Sequence, residues 1–134
     1  MNEELTYKYF CDMSDNELGA YYRRFFPGPY KLQQDFIADW ASGLENLDEG
    51  HLAFSIEMLS RSQPRALVPF MPRLLADSRV GVWTAASRSL LAFIPKDAIT
   101  SEQLQKYLAI LAPQVGSCDK DSQGIQMIIE RFKS

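Results

Sequence analysis

The chain is poor in the residues that most often carry out chemistry. Its 134 residues include one histidine, two cysteines and seven glycines, and no apolar run approaches the ~20 residues that a membrane-spanning helix needs. Each shortage excludes something. Cys11 and Cys118 stand alone, without a CxxC or any ligand spacing, which argues against a thiolate metal site and for reduced, unpaired thiols in a cytoplasmic setting. Gly43, Gly50 and Gly81 are isolated, so there is no glycine-rich loop to cradle a phosphate. The opening MNEELTYKYF lacks the basic-then-apolar order of a secretory leader. With 46% apolar and 23% charged residues, the composition is that of a folded protein, and a single domain over residues 1–134 is expected.

Charge is divided unevenly along the chain. Residues 1–60 carry eleven Asp and Glu against four Lys and Arg, a net of -7; residues 61–134 carry six against ten, a net of +4, which together give the formal -3. Asymmetry of this kind bears on partners and field rather than on fold. An acidic first half attracts basic partners.

Helical periodicity accounts for most of the sequence. Ser14 and Glu17 form a capping box, and Leu18, Tyr21, Tyr22, Phe25 and Phe26 then fall on one side of a helical wheel, with Arg23 and Arg24 opposite. The stretch YYRRFFPGPY is therefore read as a helix with its rings in the core, halted by Pro27, Gly28 and Pro29. Leu32, Phe36, Trp40 and Leu44 recur at i+4 and place a second helix over residues 31–44. A third runs from Asp48 to Ser60, burying Leu52, Ile56 and Leu59, with Asn46 or Asp48 as its cap. Pro64 opens a short helix bent by Pro69 and Pro72, and Asp77 opens another that Pro95 stops. Thr100 and Gln103 form a second capping box, and Ile125, Ile128, Ile129 and Phe132 give a last amphipathic helix. No segment alternates like a strand. The expected fold class is all-α, with seven helices in antiparallel hairpins.

One pair of these helices resembles a known repeat. Ala66, Leu67, Val68 and Pro69, then Leu74, Leu75, Ala76 and Asp77, then Val82, Ala85, Ala86, Arg88 and Leu90 resemble one HEAT repeat over residues 64–94. In such a unit proline bends the first helix, Asp caps the second across a tight corner, and small alanines let the helices approach. The resemblance implies hairpins stacked as a small HEAT-like α-solenoid or bundle. Trp83 lies at the margin of the buried face, as a core-edge ring or an exposed anchor.

Catalysis finds no constellation. His51 has Asp48 three residues before it and Ser55 four after, but no third converging group from another element can be named. Asp48, Glu49 and His51 have irregular spacing for metal ligands. No catalytic residue, metal or cofactor is expected. Helix pairs without catalytic groups serve most often as protein-binding surfaces. A small acidic binder resembles the immunity proteins that bacteria make against polymorphic toxins, in size, charge and class. That resemblance implies a basic toxin nuclease as partner, with carboxylates standing in for phosphates. The candidate binding residues are Asp35 and Asp39, four apart on the polar side of the second helix, with Glu45, Asp48 and Glu49 in the connection that follows. A HEAT-like scaffold or chaperone adaptor is the alternative. A nucleic-acid-binding helical repeat is a third: Arg61, Arg65, Arg73, Arg79 and Arg88 make the centre basic, but an isoelectric point near 5.1 opposes that attraction.

Overall fold

The first helix is one that periodicity does not announce. In the computed structural model, which describes residues 4–116 and 119–133, Thr6 accepts the Tyr9 amide at 3.1 Å and caps α1, Tyr7–Asp12. Six residues are too few to display a wheel, but α1 buries Phe10 completely. The Ser14–Glu17 capping box forms as its spacing requires, with hydrogen bonds of 3.2 and 3.0 Å, and opens α2, Asp15–Phe25.

The next helix starts later than its i+4 pattern suggests. The Leu5 amide donates to the Lys31 carbonyl at 2.7 Å, and the Gln33 amide donates to the Leu5 carbonyl at 2.9 Å. These bonds hold residues 31–33 in an isolated bridge, so Leu32 is taken out of the helix and α3 spans only Phe36–Gly43. A 3-10 turn, Leu44–Asn46, leads to α4, Glu49–Ser62, which Asp48 caps by accepting the His51 amide at 2.8 Å.

The proline-rich middle is irregular, as Pro69 and Pro72 lead one to expect: a 3-10 segment, Pro64–Phe70, passes into α5, Met71–Leu75. Asp77 does not cap the helix after it. Its Oδ1 accepts the Arg79 amide at 3.0 Å, two residues on, in the local turn that Asp side chains favour, and α6 begins only at Val80 and runs to Arg88. A π-helical turn, Ser89–Phe93, follows, with the Ile94 amide bonded to the Ser89 carbonyl at 2.9 Å. After a 3-10 turn at Lys96–Ala98, the second capping box forms at Thr100 and Gln103 and opens α7, Ser101–Val115. Gly116 ends α7 with φ of 63°, a left-handed value that suits glycine. The last helix, α8, is Asp119–Phe132. The fold is all-α, with eight α-helices and no strand among the described residues. Cys11 is a free, exposed thiol, and Cys118 lies outside the described residues.

Helix α4 packs against both α2 and α6, while α5 packs against α6 and α7. Glu49 reaches Gly81 and Glu57 reaches Arg88, so α4 and α6 run the same way side by side. Tyr107 to Val68 and Gln114 to Leu75 set the same direction for α7 and the segment from Pro64 through α5. Side-chain hydrogen bonds between distant parts of the described chain mostly join residues spaced from 28 apart, as in Arg73 and Glu45, to 41 apart, as in Arg131 and Leu90. One contiguous apolar cluster runs from Leu5 to Ile128.

The aromatic stripe of α2 departs from expectation. Leu18 is buried and Tyr21 and Tyr22 are half-buried, but Phe25 and Phe26 are 42% and 52% exposed. Among its helix neighbours α2 packs extensively only against α4, so a wide apolar stripe has too little protein to cover it. Trp83 goes the other way: only 7% of it is exposed, which makes it a core residue. Trp83→Ala should therefore cost about 3–5 kcal/mol, the range for truncating a large buried ring. Urea unfolding measures this, and an unchanged midpoint would show the indole to be dispensable to the core.

Candidate functional site

The acidic candidates divide by what their carboxylates touch. Glu45 accepts from Arg73 Nε at 2.7 Å, and this hydrogen bond holds its carboxyl below the usual carboxylate range. Asp48 accepts both the His51 amide at 2.8 Å and faces His51 Nδ1 at 2.9 Å, and the amide bond chiefly lowers its carboxyl. Glu49 accepts the Gly81 amide at 2.8 Å, joining α4 to the start of α6; a Cβ at Gly81 would come within 2.9 Å of that same carboxylate. Asp35 and Asp39 are different. Both are exposed, Asp35 makes no side-chain cap bond to α3, and neither carboxylate meets a hydrogen-bonding or ionic partner among the described residues.

The loop carrying Glu45 and Asp48 is fixed from below by Asp77. Arg79 binds this carboxylate through Nε at 2.9 Å and Nη2 at 2.8 Å, Arg73 binds it at 3.3 Å, and Arg79 Nη1 also donates to the Leu47 carbonyl at 3.0 Å. The Asp77 side chain is only 8% exposed. The Arg79 hydrogen bond holds its carboxyl far below the ordinary range, and Arg73 adds to that. Two further central arginines are close to carboxylates, Arg65 to Asp97 at 2.8 Å and Arg88 to Glu57 at 2.6 Å, whereas Arg61 donates to the Tyr22 hydroxyl at 3.0 Å.

His51 is buried in the first turn of α4 rather than solvated, with 8% of it exposed. Its Nε2 donates to the Met13 carbonyl at 2.9 Å, and Asp15, from the start of α2, stands 4.0 Å from Nδ1. Sequence spacing paired His51 with Glu49 and overlooked Asp15, which is 36 positions away and arrives only through packing of α2 on α4. Ligand atoms of Asp15, Asp48 and His51 lie within 4.8 Å of one another, but Nδ1 is already engaged by Asp48. Ser55 does not meet His51: its hydroxyl accepts from Trp40 Nε1 at 2.8 Å and donates to the Leu52 carbonyl at 2.7 Å.

Two cavities flank α2 and take up its half-covered rings. One, of about 730 Å³, is lined by Tyr9, Tyr21, Phe25 and Tyr30. The other, of about 860 Å³, lies between α2, α4, α6 and the π turn, with Tyr22, Phe54 and Phe93 on its walls. Asp15 and Glu49 stand at one end and Arg61 and Arg88 at the other. Asp35 and Asp39 line neither cavity. The residues of YYRRFFPGPY therefore serve packing and concavity at once, which no helical wheel can resolve.

No family model, curated protein or solved structure matches the chain. No helix among the described residues is long and apolar enough to cross a membrane.

The Asp77 network has a definite pH signature. A carboxyl depressed in the folded protein stabilises it fully above the unfolded value of ~3.9, and that contribution is lost as pH falls through the folded value. Asp77→Asn should cost about 1.5–3 kcal/mol at pH 7, as expected for hydrogen bonds to charged groups. The difference from the parent protein should hold steady from neutral pH to about 5 and shrink below about 4. Chemical unfolding at stepped pH measures it, and a difference independent of pH would remove Asp77 from the acid response.

Proposed function

We propose that the protein is a non-catalytic protein-binding module, an immunity protein that neutralises a basic toxin nuclease through its acidic helical surface. The observation that carries this reading is the state of Asp35 and Asp39. Asp35 stands at the cap position of α3 and Asp39 in its first turn, where the helix dipole favours negative charge, yet neither carboxylate is held by a side-chain hydrogen bond or ion pair among the described residues. Carboxylates left without an internal partner are available to one from outside. The net of -7 over residues 1–60 extends the same field, with Asp15, Glu45, Asp48 and Glu49 exposed around the α4 entrance. A basic substrate cleft presents cations spaced for phosphates, and fixed carboxylates can occupy it.

The non-catalytic part of the reading draws support from His51 and Ser55, whose polar atoms are already spent on neighbours within the fold. The recurrent 28-to-41-residue spacing of long-range bonds supports a HEAT-like stack, since each repeat in such an array contacts chiefly its neighbours. A scaffold or adaptor role would use the same architecture without requiring the acidic face.

The test is binding to, and inhibition of, the basic nuclease that co-purifies with this chain from its native host. Wild-type protein should inhibit the nuclease and associate with a rate that falls as salt is raised. Asp35→Lys with Asp39→Lys should slow association by about tenfold or more and leave the helical spectrum unchanged. Glu49 is left intact because it also anchors Gly81. Unaltered kinetics and salt response in the double variant would place the interface away from the acidic face; a nuclease that stays active in the presence of wild-type protein would overturn the immunity reading.

A further inference from the structure

The cavity between α2, α4 and α6 has features that the packing of these helices does not itself require. Gly50 and Ala53 on α4 face Gly81 and Thr84 on α6, and these small side chains leave a trough of about 860 Å³ walled by Tyr22, Phe54 and Phe93. Charge is segregated along it. Asp15 and Glu49 stand at the helix starts, whereas Arg61 and Arg88 stand twelve residues further along α4 and at the end of α6, about 18 Å away at the helical rise.

The basic end is prepared. The Arg61 guanidinium lies 4.4 Å from the Phe26 ring centroid and 4.8 Å from that of Phe93, and its Nη2 donates to the Tyr22 hydroxyl at 3.0 Å. Its Nε is buried and has no hydrogen-bond partner among the described residues. Glu57 is shared between Arg61, at 3.9 Å, and Arg88, at 2.6 Å, so two guanidinium groups face one carboxylate. A second carboxylate from outside would balance them.

Dimensions decide the kind of occupant. A small zwitterion cannot span both charged ends. A helix, about 10–12 Å across with its side chains, could seat only one face in this open trough. An extended chain rises about 3.3 Å per residue, so five or six residues cover the distance within the space. We propose that this trough binds an extended peptide segment of a partner protein, with a cationic side chain at Asp15 and Glu49, an apolar side chain over Ala53 and Phe54, and a carboxylate at Arg61 and Arg88. The proposal rests on the protein-binding reading and names a second contact surface for it, separate from Asp35 and Asp39.

Three acetylated and amidated hexapeptides test it by amide chemical-shift titration of the isotope-labelled protein. Two carry arginine and glutamate at opposite ends, in the two chain directions, around an Ala-Leu-Val-Ala centre; the third has glutamine at both ends. One bipolar peptide should bind at least tenfold more tightly than the glutamine control and shift the amides of Gly50, Gly81, Thr84 and Arg88. Thr84→Trp, which fills the trough, should abolish that binding. If that variant loses its fold, Arg88→Gln provides the reading: it should lower affinity for the bipolar peptide several-fold without changing affinity for the control. Asp35→Lys with Asp39→Lys should leave peptide binding unaltered, so failure here is distinct from failure of the acidic face. Equal binding of all three peptides, or shifts confined to other surfaces, overturns the proposal and leaves the segregated charges to their contacts within the fold.

Discussion

Helix α4 is enclosed on nearly every side, and the rest of the structure is arranged around meeting its polar needs. His51, Ser55, Glu57 and Ser60 are all buried, alongside Leu52, Ile56, Met58 and Leu59. An unpaired polar group at such a depth costs about 1–3 kcal/mol, so each requires a partner from another element. His51 finds the Met13 carbonyl, Ser55 the Trp40 indole, Glu57 the Arg88 guanidinium, and Ser60 the Ser89 hydroxyl. These partners come from the α1–α2 junction, α3, α6 and the π turn. Because Arg88 and Ser89 are consecutive, three separate segments are thereby positioned by one helix.

The same enclosure shapes the two surfaces assigned a binding role. α2 and α6 flank α4, and small residues between α4 and α6 open a trough where a larger pair would have closed it. The entrance to α4 presents exposed carboxylates because Asp48 must cap the helix and Glu49 must hold Gly81, while Asp77 and its two arginines fix the loop beneath. α3 reaches α4 through Trp40 but does not line the trough, and Asp35 at its cap position and Asp39 in its first turn carry no side-chain hydrogen bond or ion pair among the described residues. The Asp35 and Asp39 face and the bipolar trough thus arise from different parts of the helical array and meet at the α4 entrance, where Asp15 and Glu49 belong to both.

Local chemistry made several elements legible in advance. The Ser14 and Thr100 capping boxes, the cap at Asp48 and the proline-broken segment from Pro64 all depend on residues within three or four positions of one another, and each forms. Elements that depend on distant chain segments were not legible. α1 is too short for periodicity to reveal, and the delayed start of α3 follows from backbone bonds between Leu5 and residues 31–33. Asp77 has the spacing of a cap but forms a turn, because Arg73 and Arg79 compete for its carboxylate. Among the site residues, Asp35 and Asp39 were recognisable as exposed by their place on the polar side of a wheel. The engagement of Glu45 by Arg73, 28 residues away, was not.

The sequence by itself determined an all-helical chain, the starts of α2, α4 and α7 and the acidic character of its first half, because propensity, capping and charge act over one or two helical turns. Tertiary structure decided which of those charges remain available. It also decided that Phe25 and Phe26 lie partly in solvent although their wheel is apolar, that Trp83 is enclosed, and that Asp15 joins Asp48 beside His51. The physical reason is that burial and pairing depend on how many neighbours a helix face acquires. A periodic pattern can point a side chain to one face, but only the packing of other helices determines whether that face meets protein or water.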